Sequence, residues 1–224
     1  MSNTDPAPGA APAQTAAAAP SEAAPTSAAG TPAEALALLK EGNARYVAND
    51  PRERDFSAGR ASRTIGQAPF AAILGCADSR VSPELAFDQG PGDLFVVRLA
   101  GNFVTEEGLA SLEFGAAVLG TRLIVVLGHS NCGAVNATIT AIQEGNTLPG
   151  HIADLARELQ PGIEPEIDRG HAHDLGHRAV IANVRHNVER LKRAKPILAG
   201  MVAEGKVEVV GGVYELATGA IHWI

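Results

Sequence analysis

Three short apolar runs limit what this chain can fold into. Residues 70–74, 94–99 and 122–127 are strand-length and apolar at nearly every position, and stretches of helical spacing separate them. A strand that does not alternate polar and apolar residues must be covered on both faces, and helices supply that cover. A fourth run at 207–213 and an edge-like segment at 220–224 complete the set. The predicted fold is therefore α/β, a central and mostly parallel sheet flanked by helices. Ligands in such folds sit beyond the carboxyl ends of the strands, so the residues that follow each run carry the functional question.

The intervening segments predict helices. Thr31-Pro32-Ala33-Glu34 has the form of a capping box with proline at the first helical position. The helix that follows should reach about residue 48 and turn Leu36, Leu39 and Val47 inward, ahead of a polar linker containing Arg52, Arg54, Ser57 and Arg60. Thr105 should cap a helix with Leu109, Leu112, Ala116 and Leu119 on its apolar face. Cys132 should open a helix ending near residue 142. A helix over 152–159 should give way to a polar stretch over 160–173, followed by helices near 174–194 and 196–203.

Residues 1–30 are dominated by Ala, Pro, Ser, Thr and Gly, and no Leu, Ile, Val or Phe precedes Leu36. Such a segment cannot offset the entropy of ordering, and a disordered tail is expected there, with the folded domain over 31–224. It lacks the basic start and compact apolar stretch of a secretory signal. No apolar run reaches the roughly 18 residues of a spanning helix. The net charge of −7 and pI near 5.5 argue against nucleic acid or an anionic membrane as partner. A cytoplasmic protein is expected.

Two clusters carry chemistry. Gly75-Cys76-Ala77-Asp78-Ser79-Arg80 follows the first run, and Gly128-His129-Ser130-Asn131-Cys132-Gly133 follows the third. They contain the only two cysteines of the chain. Two sulfurs and one imidazole are the ligand set of a catalytic zinc site with its fourth position open. His129 and Cys132 are close enough in sequence to reach one ion, and a helix start at Cys132 favours its thiolate. Gly75, Gly128 and Gly133 would let backbone approach the metal. A Cys76–Cys132 disulfide is the competing arrangement. Asp78 could take the fourth coordination position, or accept a hydrogen bond from water there, with Arg80 keeping it ionised. His171, His173 and His177 also cluster, but in a polar stretch without a matching carboxylate motif, and His151, His186 and His222 stand singly. A solvated face is expected for all of them.

Cys-x-Asp-Ser-Arg after one strand and Gly-His-x-x-Cys-Gly after a later one resemble the signature of the β-class carbonic anhydrases. Arg98 and Asn102 within Arg-Leu-Ala-Gly-Asn and the run Gly211-Gly212-Val213-Tyr214 extend the resemblance over residues 31–224. It implies reversible hydration of carbon dioxide to bicarbonate, with Zn2+ on Cys76, His129 and Cys132 and a catalytic dyad of Asp78 and Arg80. It places Gln67, Phe95, Phe114 and Gly133 on the substrate side, Gln67 in the manner of the plant-type branch. It further implies a homodimer or homotetramer whose sites lie at the dimer interface, Gln67 and Phe114 coming from the partner. The regulated branch binds bicarbonate through a Trp–Arg–Tyr trio. Arg98 and Tyr214 match it, but Ile73 stands at the tryptophan position, so that trio is not expected. Binding of Asp78 to zinc at low pH stays open. The competing functions are CS2 or COS hydrolysis on the same scaffold, a dithiol redox protein, and a non-catalytic zinc module.

Overall fold

The computed structural model describes residues 27–57, 59–169 and 174–224. Most of the expected tail (residues 1–26), along with His171 and His173, lies outside the described residues. In chain order the elements are α1 (Pro32–Val47), α2 (Arg60–Ile65), β1 (Ala71–Gly75), α3 (Pro83–Ala86), β2 (Leu94–Arg98), α4 (Glu106–Ala117), β3 (Leu123–His129), α5 (Gly133–Glu144), α6 (Ile152–Asp168), α7 (Leu175–Lys192), α8 (Leu198–Ala203), β4 (Glu208–Tyr214) and β5 (Ile221–Trp223). The five strands form one sheet in the order β2-β1-β3-β4-β5. All neighbours are parallel except β4 and β5. The apolar runs are therefore strands buried on two faces, as their composition requires.

Alternate residues of each strand serve different cores. Ala72, Leu74, Ile124 and Val126 pack with Leu112, Val135, Leu159, Ile163, Val180 and Val184 from the helices on one face. Ala71, Ile73, Leu123, Val125 and Leu127 pack on the other face with Ala35, Leu39, Ala86 and Phe87. Burying one such aliphatic side chain contributes about 1.5–3 kcal/mol. These two layers fix the sheet against which the functional loops are held.

The start of α1 is set by chemistry within four residues. Glu34 N donates to Thr31 Oγ1 at 3.2 Å, and Thr31 N donates to Glu34 Oε2 at 3.0 Å. The expected inward position of Val47 is not observed; it is 47% exposed. The buried stripe runs through Ala35, Leu39, Gly42 and Asn43 toward Tyr46, and Val47 falls beside it. Asn43 ties this helix to the far end of the chain, donating to Ala86 O (2.9 Å) and Gly219 O (2.8 Å) and accepting from Ile221 N (2.9 Å). A Cβ on Gly42 would lie 1.8 Å from Phe87 O, a backbone atom. Gly42→Ala should therefore push α1 off its seat and cost about 3 kcal/mol or more, the upper end for overpacking. A urea midpoint equal to wild type would contradict this.

The linker after α1 is anchored by charge. Asp88 is buried and accepts from Arg45 Nε at 2.5 Å, from Arg54 and from Arg52 N at 3.3 Å. The expected break after residue 159 is corrected: α6 runs to Asp168 through Pro161 and Pro165. Proline in a helix interior costs about 3 kcal/mol. Here the four-residue spacing of Leu155, Leu159, Ile163 and Ile167 continues an apolar stripe that packs into the core. Gly162 lets α7 come close, since a Cβ there would sit 3.2 Å from Asn183 Cα. Prolines and charges hid that stripe in the sequence. Among the described residues no helix is long and apolar enough to cross a membrane.

Candidate metal centre

β1 and β3 are adjacent and parallel, so their carboxyl ends share one edge of the sheet. Cys76 follows β1 directly, His129 is the last residue of β3, and Cys132 caps the start of α5 in an extended conformation (φ −70°, ψ 118°). All three are buried, His129 completely. Their ligand atoms lie within 4.8 Å of one another, the only such group of three among the described residues. The two Sγ atoms are 4.0 Å apart and both thiols are free. A disulfide needs about 2.05 Å, so the competing pairing is not formed.

His129 Nδ1 lies 3.0 Å from Ser130 O. A carbonyl can only accept, so Nδ1 carries the proton and neutral His129 presents a lone pair on Nε2. Nε2 is buried and makes no hydrogen bond. A buried polar atom left this way costs about 1–3 kcal/mol. Burial pushes the His129 pKa down, but the Cys76 thiolate overrides it and holds the pKa above its ordinary value.

The Cys76 thiol is held below its ordinary range, chiefly through its hydrogen bond with Cys132; His129 and the amides of Gly101 and Asp78 add to this against the effect of burial. The Gly101 and Asp78 amides lie 3.3 and 3.4 Å from Cys76 Sγ. Cys132 is pushed up, first by Cys76 and then by burial. The helix amides of Val135 and Ala134 do pull the Cys132 pKa down. That part of the expectation holds, but the neighbouring thiolate outweighs it. Two thiolates at this separation cannot both ionise without a cation between them. The trio therefore fits a metal ion by charge and by its unpaired nitrogen.

Asp78 stands beside the trio, with Oδ2 3.8 Å from His129 Nε2. Arg80 engages both carboxylate oxygens, Nε to Oδ1 at 2.9 Å and Nη2 to Oδ2 at 2.7 Å, and its backbone N also donates to Oδ1 at 2.9 Å. These bonds hold the Asp78 carboxyl well below the usual carboxylate range. Arg98 clamps the loop from outside, a role its place in the sequence did not suggest. It donates to Cys76 O at 2.9 Å and to Asp78 O at 2.7 Å. Tyr214 pairs with Tyr46, hydroxyl to hydroxyl at 3.1 Å, and Ile73 is fully buried in the core.

A Cβ on Gly128 would meet Val184 Cγ2 at 2.7 Å, so that glycine serves the packing of α7. A Cβ on Gly133, the first residue of α5, would meet nothing within 4 Å, and one on Gly75 only ordinary contacts at 3.8 Å. Gln67, Phe95 and Phe114 do not join the trio within one chain. Gln67 precedes β1 and lines a surface pocket with Ser62, Arg63 and Asp93. Phe95 pairs in register with Ala72, and its ring centroid lies 6.4 Å from that of Phe114, which is about half exposed. At about 3.3 Å per residue these positions are at the opposite end of β1 from Cys76. His151, His177 and His222 are exposed, as expected for a solvated face, whereas His186 departs from that expectation and is partly buried.

Fold and trio together define an α/β protein with a metal-competent Cys2His site at the carboxyl edge of its sheet. A sequence profile described as carbonic anhydrase matches residues 71–221. A carbonic anhydrase from Mycolicibacterium smegmatis is 39% identical over 85% of this chain and 92% of its own length. Carbonic anhydrase 2 of Mycobacterium tuberculosis is 38% identical over 84% of this chain and 90% of its own. The solved Coccomyxa β-carbonic anhydrase, in complex with acetazolamide, superposes with a TM-score of 0.68 at 27% identity, covering 88% of this chain and 87% of that one. The chain belongs to the β-class carbonic anhydrase family, lyases whose general reaction is the hydration of carbon dioxide.

Proposed function

We propose that this protein hydrates carbon dioxide reversibly to bicarbonate and a proton, using a zinc ion held by Cys76, His129 and Cys132. The observation that carries this reading is the buried His129 Nε2, unpaired, beside two thiols that cannot both ionise alone. Two sulfurs and one nitrogen suit zinc, and three protein ligands leave a fourth position for reaction. When bound, the ion supplies a Lewis acid that makes water nucleophilic near neutral pH.

The protein's own groups then orient the reactants. Asp78 accepts a hydrogen bond from the attacking water and turns a lone pair toward the carbon of carbon dioxide. Arg80 keeps that carboxylate charged and fixed, so it accepts and does not donate. With both oxygens engaged by Arg80, Asp78 is read as this acceptor and not as the fourth ligand. Gln67, Phe95 and Phe114 act on the substrate side from a second copy of the chain, since in one copy they lie far along the strands from the trio. The active unit is then at least a homodimer, with residues 31–224 as the catalytic domain. Free, buried thiols suit a reducing compartment such as the cytoplasm.

Zinc analysis together with stopped-flow hydration of carbon dioxide tests the reading, with CS2 and COS assayed alongside. One zinc per chain and hydration that disappears on metal removal are expected. Full hydration by metal-free protein would overturn it. Arg80→Ala should keep its zinc and lose rate by about tenfold, the low end for a group that orients a metal-site residue. A wild-type rate in that variant would free Asp78 from dependence on Arg80.

A further inference from the structure

Two buried asparagines on α7 end in the metal centre. Asn183 and Asn187 are one helical turn apart and are 1% and 0% exposed. Asn187 Nδ2 donates to Asn183 Oδ1 at 3.0 Å and to Asn183 O at 2.9 Å, and Asn187 Oδ1 accepts from Val104 N at 2.9 Å. Asn183 Nδ2 donates to Gly101 O at 2.8 Å. Gly101 N in turn points at Cys76 Sγ, 3.3 Å away. Hydrogen bonds thus tie α7 to the Gly101 carbonyl, and the amide on the other side of the same residue to one sulfur of the trio.

The loop needs holding. Gly101 and Asn102 are consecutive residues with positive φ, 89° and 44°. The second of these is unfavourable for a residue with a side chain. A Cβ on Gly101 would lie 2.8 Å from Leu159 Cδ1, so the peptide is also wedged against α6. Each asparagine both donates and accepts within this chain. An amide does both at this reach, whereas a carboxylate at 183 would set oxygen against Gly101 O.

We propose that Asn183, seated by Asn187, is a positioning residue for the metal centre: by holding the Gly101 carbonyl it fixes the backbone angles of that residue, and so the N–H of the preceding peptide that faces Cys76 Sγ. The inference rests on the metal-site reading given above. Groups that orient metal ligands typically change affinity or activity by about 10–100-fold when lost. Gly101 reaches Cys76 only through its backbone, so the side chains on α7 are the handle by which sequence controls this contact.

The test uses the zinc-loaded full chain and compares Asn183→Asp with Asn43→Asp. Asn43 is a fair control because it is also buried and makes three hydrogen bonds, to Ala86, Gly219 and Ile221, away from the trio. Zinc affinity is read by chelator competition, stability by urea unfolding, and sulfur geometry by the thiolate-to-metal absorption band of the cobalt-substituted protein. Asn183→Asp should weaken zinc by about tenfold or more and shift the band. Asn43→Asp, at a comparable loss of stability, should change neither. Wild-type affinity and an unmoved band in Asn183→Asp, or an equal loss of zinc in Asn43→Asp, would overturn the inference. If Asn183→Asp does not fold, Asn187→Asp decides by the same readings, because it keeps the acceptor for Val104 and loses only the donors to Asn183; a several-fold loss is expected, and no change refutes. Wild type without zinc would overturn the metal-site reading and this one together, whereas zinc-loaded wild type with an unaltered variant overturns this one alone.

Discussion

Cys132→Ala should remove both metal and catalysis while leaving the fold intact. Cys132 sits at the N-cap of α5, where its side chain makes no capping hydrogen bond, and its extended backbone angles are open to alanine. Its loss leaves one sulfur and one imidazole, a set too small to hold the ion. Lewis-acid stabilisation of the transition state is worth several kcal/mol, and each 1.36 kcal/mol is a factor of ten. Hydration should therefore fall by about a thousandfold or more. The variant should contain substoichiometric zinc and show an unchanged far-ultraviolet circular dichroism spectrum. A variant that lacks zinc but turns over at an undiminished rate would refute the reading.

Asp78→Asn is the complementary experiment, because it should separate metal from rate. The amide has the same shape as the carboxylate and still offers one oxygen to Arg80. It cannot accept at both positions, and its NH2 group would face a guanidinium donor. The negative charge that now stands 3.8 Å from His129 Nε2 is also lost. Zinc content should remain as in wild type, since Asp78 is outside the trio. The rate should fall by about a hundredfold or more, within the range for a positioned acid–base group. Loss of zinc in this variant would instead make Asp78 a ligand, and a full rate would remove it from the mechanism.

Much of this was legible in the sequence, for definable reasons. The runs at 70–74 and 122–127 read as strands because a parallel sheet covered on two sides requires uninterrupted apolar residues. Thr31 and Thr105 announced helix starts because capping is settled within four residues, as the 3.0 Å bond from Gly108 N to Thr105 Oγ1 illustrates. The candidate ligands were visible because Cys76 directly follows an apolar run and His129 stands at the end of another. What was hidden depended on distant partners. The continuation of α6 through Pro161 and Pro165 is set by its seat against α7. Asn43, Asn183 and Asn187 look like surface residues until their hydrogen-bond partners in distant segments are known. Gly128 looked like a metal-site glycine, yet it is Val184 that leaves no room for a side chain there.

The neighbouring placement of β1 and β3 has one more consequence. The pocket for the ion is moulded by the two central, most deeply buried strands and by the turn leading directly out of the second. Because both strands are fully buried and paired in register, the sheet itself sets how far apart the backbones carrying Cys76 and His129 lie.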